Sequence, residues 1–458
     1  MSKLPPEILI EVLSYLSRDC KLQCLLACKT WYTSVLPILN REIKLCSDND
    51  ATILLEKLSS QQEGSIEGSK VHRLSFGTDD LAYTEYIINR VTFGSIITAC
   101  KNLKSLDFNG LFIQRYFGYL YQYRDTLQLD NLQVINAPYS SSELYIPVAY
   151  HYHQKLNQLD LDINSNSFRS LPGTNDIFSY LCLFSALKIL SLRFHCPIYL
   201  HDILSACPHL ETLKLSHSSS VNHFKIFKGS KSGKRHAIEQ TACFRLKFLT
   251  IASDFVNQEL FEYLLEKTTQ LYQVSINGFC SDFTTFETPF NIFVNDNQIF
   301  PIKRIVFFNV NISPKVINGL NSGFDALKII ELDGCYFAKI MDQHRNIRLD
   351  FSKLNLEYIS IDFRNIIRDQ PNINTVSLEI KRAENNDTLF FQRLSKWKTD
   401  RMFVEKTHKL FTTNYFKERR ANSNHISVIS IEINTLRYLR LHLNTYNDSA
   451  FSQIIALN

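Results

Sequence analysis

The chain has 458 residues, 45% of them apolar and 21% charged, the balance of a folded chain and not of a disordered or fibrous one. Fifty basic residues against 45 acidic ones leave a net charge of +5, too weak a bias to point to nucleic acid. Eleven cysteines without a compact disulfide framework suit a reducing interior, and no run approaches the roughly eighteen apolar residues of a membrane span, so the expected location is cytoplasmic, nuclear or both.

The first stretch, MSKLPPEILIEVLSYL, places Leu4, Ile8, Leu9, Val12, Leu13 and Leu16 on one face of a short helix. Pro5 and Pro6 suit its first turn, and Glu7 complements the positive end of its dipole. Proline and glutamate interrupt the continuous apolar core that a signal peptide needs. A second helix is expected from Ser17 to Leu36, with Leu22, Leu25, Leu26, Cys28 and Trp31 as its apolar positions. Two helices of this size bury too little surface to stand alone. Cys20, Cys24 and Cys28 recur every four residues, but no fourth ligand lies nearby, so they are expected to pack and not to hold zinc.

LPPEILIEVLSYL followed by LLACKTW resembles an F-box, with its Leu-Pro opening, leucine-ended first helix and Cys-Lys-x-Trp close. The resemblance assigns residues 1–45 to that domain. Ser17 and Arg18 stand where the family often has an acidic residue and a proline, and Lys21 where leucine is common. The resemblance implies docking on the Skp-family adaptor of a cullin–RING ubiquitin ligase. By position, Leu4, Pro5, Ile8, Leu9, Leu13, Leu16, Leu22, Leu26 and Trp31 would supply the docking surface and its support.

From residue 46 to 458 a six-residue phrase returns, apolar-x-x-apolar-x-apolar. Clear copies start at Leu103, Leu156, Leu187, Leu210, Leu246, Leu271, Ile302, Leu327, Leu356 and Leu436, and weaker ones at Val71, Leu132, Ile373 and Ile426. The alternation within each phrase predicts a short strand. Helical stretches lie between, among them EYIINRVTFGSIITAC, IYLHDILSAC and NQELFEYLLEKT. This pattern resembles an irregular leucine-rich-repeat solenoid, which implies an α/β fold with parallel strands on a concave face and helices on a convex face. The family often has Asn or Cys just after the strand, where Asn164, Cys335, Asn434 and Asn444 stand here.

Two stretches break the rhythm. Residues 217–244 are rich in Ser, Gly and Lys and are expected to form a solvated loop insertion. Their GSKSGKR has three residues between its glycines and Arg235 in place of Ser or Thr, so it does not fit a phosphate loop. Residues 381–425 are expected to be a basic helical insertion, with Trp397, Phe403, Phe411, Tyr415 and Phe416 packing on the array.

No nucleophile elbow, HExxH helix or CxxC pair is present. His151, His153, His195, Cys196, His201, Cys207 and His209 match no zinc spacing. No catalytic residue, metal or cofactor is therefore expected, and nucleic acid and membrane are not expected partners. The F-box and the repeats together imply a non-enzymatic substrate receptor that holds an unknown protein substrate for ubiquitination. A repeat scaffold working outside any ligase would share the same array. Strand alternation places Glu331, Asp333, Asp362, Glu379 and Glu432 on the concave face, with Phe308 and Tyr358 among them. Across all copies this face counts eight acidic positions, adding Asp107, Asp160 and Asp162, against five basic ones: Arg73, Arg193, Lys214, Arg304 and Arg440. An acidic groove for a Lys/Arg-bearing segment is the resulting expectation.

Overall fold

The computed structural model describes residues 5–60, 66–77, 88–110, 113–136, 143–164, 167–168, 171–174, 176–217, 224–227, 244–278, 301–337, 340–342, 346–362, 375–382, 388–394, 404–405, 426–444 and 450–456. The chain divides into two units, Met1–Leu210 and Glu211–Asn458.

The first unit begins with three helices, α1 (Pro6–Ser14), α2 (Arg18–Leu25) and α3 (Lys29–Leu39). The stretch expected as a single second helix is thus broken. Cys28 is extended (φ −167°, ψ 167°) where it caps α3, so the chain turns at Leu26–Ala27. After these come β1 (Glu42–Leu45), α4 (Asp48–Ser59), β2 (Arg73–Phe76), α5 (Arg90–Ala99), β3 (Ser105–Phe108), α6 (Ile113–Tyr123), β4 (Val134–Asn136) and α7 (Tyr145–His151). The unit closes with β5 (Gln158–Ile163), α8 (Ile177–Leu181), β6 (Ile189–Phe194), β7 (Ile198–Tyr199) and α9 (Leu200–Ala206). Strands β1 to β4 form a parallel sheet in sequence order, and β5 pairs in parallel with β6. Leu74, Leu106 and Ile135 stand in register and are fully buried. Side-chain caps start the helices: Asn89 accepts from the Thr92 amide at 2.9 Å, and Asp176 and Ser179 form a capping box.

The second unit holds β8 (Thr212–His217), β9 (Phe224–Lys225), β10 (Phe248–Ala252), α10 (Gln258–Lys267), β11 (Gln273–Asn277), β12 (Arg304–Phe308), α11 (Pro314–Gly323) and β13 (Ile329–Asp333). Then follow β14 (Ile347–Asn355), β15 (Tyr358–Asp362), β16 (Thr375–Arg382), β17 (Thr388–Leu394), β18 (Val404–Glu405), β19 (Ile426–Thr435), β20 (Tyr438–Asn444) and β21 (Ala450–Ala456). Strands β8, β10, β11, β12, β13, β15 and β20 run parallel in that order, and β21 pairs antiparallel with β20. The phrase's fourth residues align into one ladder, Leu213, Leu249, Val274, Ile305, Ile330, Ile359 and Leu439, none more than 2% exposed. Each strand start is built alike. The Lys303 carbonyl accepts from both the Lys328 and Ile329 amides (2.9 and 3.0 Å), and the Tyr272 carbonyl from the Lys303 and Arg304 amides (3.0 and 3.1 Å).

Three expectations change here. The copies at Ile373 and Ile426 do not continue the ladder: β15 pairs directly with β20, while β16 and β19 join β14, β17 and β18 in a second sheet. Strands β14 and β19 are long, bury Leu349, Phe351, Ile429, Ile431 and Ile433, and bend together into β15 and β20. At that bend the Asn434 amide donates to the Asn355 side-chain oxygen at 2.9 Å, so Asn434 lies within a strand and not after one.

The described part of 381–425 is also strand, not helix. The run TLFFQRL is rich in β-formers, and β17 completes a hairpin along the free edge of β16. Its aromatics Trp397, Phe403, Phe411, Tyr415 and Phe416 lie outside the described residues. Within 217–244, the described residues 224–227 are not simply solvated. Ile226 is buried, the Phe224 ring stacks on Phe255 at 4.8 Å, and Phe227 meets Tyr263 edge-on at 5.5 Å.

Candidate functional site

Helices α1 to α3 enclose a small core of Leu9, Leu13, Val35 and Ile38, with Leu16, Cys24, Leu25, Trp31 and Leu39 packed against it. Ser17 starts α2 by accepting from the Cys20 amide at 3.2 Å. Helix α1 carries two apolar stripes, because residues three and four apart share a face. Leu9, Leu13 and Leu16 turn inward, while Ile8, Val12 and Tyr15 turn outward.

The expected docking set therefore divides. Leu9 and Leu13 are core, Leu16 and Trp31 flank it, and Pro5, Ile8, Leu22 and Leu26 are exposed. Leu26 is 82% exposed; Leu4 lies outside the described residues. Ile10, Tyr15 and Tyr32 are exposed too and were not singled out by the sequence, although the apolar arc of the first helix is wider than its own core needs. The three helices thus leave more large apolar side chains exposed than they bury in their own core. Of the three spaced cysteines only Cys24 packs on the core; Cys20 is exposed, contrary to expectation.

On the sheet of the second unit, Phe308, Glu331, Asp333, Tyr358 and Asp362 share the face opposite the buried ladder. Glu379 and Glu432 are not brought to it, since they lie on β16 and β19 of the other sheet. The acids are largely occupied. Glu331 accepts from Arg304 Nη2 at 2.6 Å, Glu432 from Arg348 Nη2 at 2.7 Å, and Glu379 lies 3.7 Å from the Lys381 ammonium. Asp362 is 2% exposed. The hydrogen bond to Glu432 raises the Arg348 pKa. The second unit's main sheet sets Lys214, Arg304 and Arg440 against Glu331, Asp333 and Asp362, so it carries no acidic surplus.

The first unit repeats this. Asp107, 4% exposed, is ion-paired with Arg73 and accepts from Ser75 Oγ at 2.8 Å and Ser105 Oγ at 3.2 Å. The hydrogen bond to Asp107 raises the Arg73 pKa. Asp162 accepts from His195 Nε2 at 2.9 Å.

Three buried thiols are held protonated. Burial pushes Cys100 and Cys207 up to about 12 and raises Cys335 as well, the reverse of an activated cysteine. Cys335 Sγ donates instead to the Phe307 carbonyl at 3.4 Å. Among the described residues no three His, Cys, Asp or Glu side chains are grouped as metal ligands, and no helix is long and apolar enough to cross a membrane.

The F-box-like family model matches residues 1–44. These residues form an F-box-like domain. A solved structure of the yeast Rad7 and Elc1 complex is also similar, at 12% identity over 77% of this chain and 88% of that chain, with a TM-score of 0.37. No curated protein matches the chain.

Proposed function

We propose that the chain is a non-catalytic substrate-recognition subunit of a Skp–cullin–F-box ubiquitin ligase. The F-box-like domain docks on a Skp-family adaptor, and the parallel strands form an irregular leucine-rich-repeat solenoid that holds a protein substrate. One observation carries this reading: Ile8, Ile10, Val12, Tyr15, Leu22, Leu26 and Tyr32 all stand exposed on three helices whose own core is four residues. Covering a side chain of this kind contributes about 1.5–3 kcal/mol, so a few together make a firm interface. The repeated ladder of buried Leu, Ile and Val across seven parallel strands supports the solenoid reading. The subunit contributes proximity: it raises the effective concentration of substrate lysines beside a charged conjugating enzyme and transfers nothing itself. Such a protein works in the cytoplasm or nucleus.

The test is co-purification of the full chain with a Skp-family adaptor and its cullin. Ile8→Glu with Leu26→Glu removes the exposed face without entering the core and is expected to abolish capture. Capture of an unchanged amount of adaptor by that variant would refute the docking face.

A further inference from the structure

In the second unit the residues that start each strand form an edge of distinct chemistry. The phrase's first and fourth residues are buried, as in Leu327 and Ile330, so its second and third both meet solvent there. The amide of Lys303 donates to the Tyr272 carbonyl (3.0 Å) and that of Lys328 to the Lys303 carbonyl (2.9 Å), which places Tyr272, Lys303 and Lys328 side by side just ahead of successive strands. Neighbouring strands lie about 4.8 Å apart, so these side chains form a closely spaced row. Arg437 extends the row at β20.

Two cations of this edge are already matched, Lys247 to Glu211 at 3.0 Å and Arg304 to Glu331 at 2.6 Å. Among the described residues no carboxylate pairs with Lys303, Lys328 or Arg437; the Lys328 ammonium reaches only the Asn355 carbonyl at 3.4 Å. Aromatic rings stand beside them. Phe248 and Tyr272 are each 38% exposed and meet edge-on at 6.1 Å, and Tyr438 is 48% exposed. Unmatched cations between exposed rings complement a chain that is both acidic and apolar.

We propose that this edge binds an extended acidic peptide segment, with aromatic or leucine side chains seated on Phe248–Tyr272 and on Tyr438, and carboxylates on Lys303, Lys328 and Arg437. This rests on the reading of the chain as a substrate receptor and names the substrate's recognition chemistry. From β10 to β20 the edge spans five strand steps, about 24 Å, which about seven extended residues cross. A peptide fits better than nucleic acid. Glu357 interrupts the cations between Lys328 and Arg437, whereas a phosphate backbone calls for an unbroken basic track.

The experiment selects displayed random peptides of about nine residues on the full-length protein, then measures the enriched sequence as a labelled peptide by fluorescence anisotropy. Enriched peptides are expected to carry two or more Asp or Glu together with Phe, Tyr, Trp or Leu, and to bind more weakly as salt rises. Lys303→Glu, Lys328→Glu and Arg437→Glu together should weaken binding at least about tenfold. Phe248→Ala with Tyr438→Ala should weaken it too, with the circular dichroism and adaptor binding of every variant unchanged.

Enrichment of basic or uncharged peptides, no enrichment, or affinity that survives the triple reversal overturns the proposal. So does an oligo-dT strand that outcompetes the peptide and loses its own binding on the same reversal. Adaptor capture is read on the same preparations, so loss of the peptide result leaves adaptor docking standing. Loss of adaptor capture alone would strike the ligase reading and leave this edge intact.

Discussion

Arg304 Nη2 donates to Glu331 Oε1 at 2.6 Å across the parallel strands β12 and β13. The pair occupies the most prominent acid of the expected groove with a cation of the protein's own. It sits on a partly exposed sheet face, where such bonds contribute modestly. Glu331→Lys would set two cations side by side across adjacent strands, and a loss of about 1 kcal/mol is expected in urea unfolding. Acidic-peptide binding at the neighbouring edge should survive or tighten in this variant; an acidic groove would instead lose its ligand.

Asp107 is a more demanding site. Nearly buried, it takes hydrogen bonds from Arg73, Ser75, Ser105 and Asn136, four side chains on three strands. Asp107→Ala leaves these donors without their acceptor and removes the partner of the Arg73 charge. The expected cost is about 2–4 kcal/mol, measured by chemical denaturation, with Asp107→Asn recovering part of it.

Cysteine reactivity should follow burial. Cys20 is exposed, whereas Cys100, Cys207 and Cys335 are buried with raised pKa values. Iodoacetamide at neutral pH is expected to modify Cys20 in the native protein and the other three only on unfolding, as peptide mass mapping would show. The folded state keeps the Cys100 and Cys207 thiols protonated up to about 12, while an unfolded thiol ionises near 9.0. Protons are thus lost on unfolding in that range, and stability should fall as pH rises from about 9 toward 12.

Much of this architecture is legible in the chain. Thirteen of the fourteen phrases start a strand two residues after their first apolar position; only Ile426 begins its strand at once. Periodic burial leaves a periodic pattern, and that pattern reads directly. It does not say which strand lies alongside, so the phrases at Ile373 and Ile426 look like ladder steps although their strands pair in another sheet. Charge counts fail for a related reason: Arg304 meets Glu331 only once register sets them on adjacent strands. The break between α2 and α3 also escapes notice, because Leu25-Leu26-Ala27-Cys28 contains no Gly or Pro to mark it. On the first helix, spacing alone puts Ile8 and Leu9 on one apolar face, but packing decides that Leu9 turns inward and Ile8 outward.

The edge strands make a further prediction. Ending the chain after Leu332 removes β15, the partner of β13, and uncovers Ile330 at an open sheet edge. Such a fragment is expected to aggregate or to elute as large species on size exclusion. Ending after Asn444 removes only β21 from β20 and should give milder, concentration-dependent self-association.

The measurement closest to the central claim is a titration of the purified full chain with a purified Skp-family adaptor by isothermal calorimetry. Saturable one-to-one binding is expected, with a negative heat-capacity change from apolar burial. Leu26→Glu with Ile8→Glu should abolish it at unchanged thermal stability, because both side chains are already exposed in the free protein. Absence of binding by the unaltered chain, or equal binding by the variant, would contradict the account.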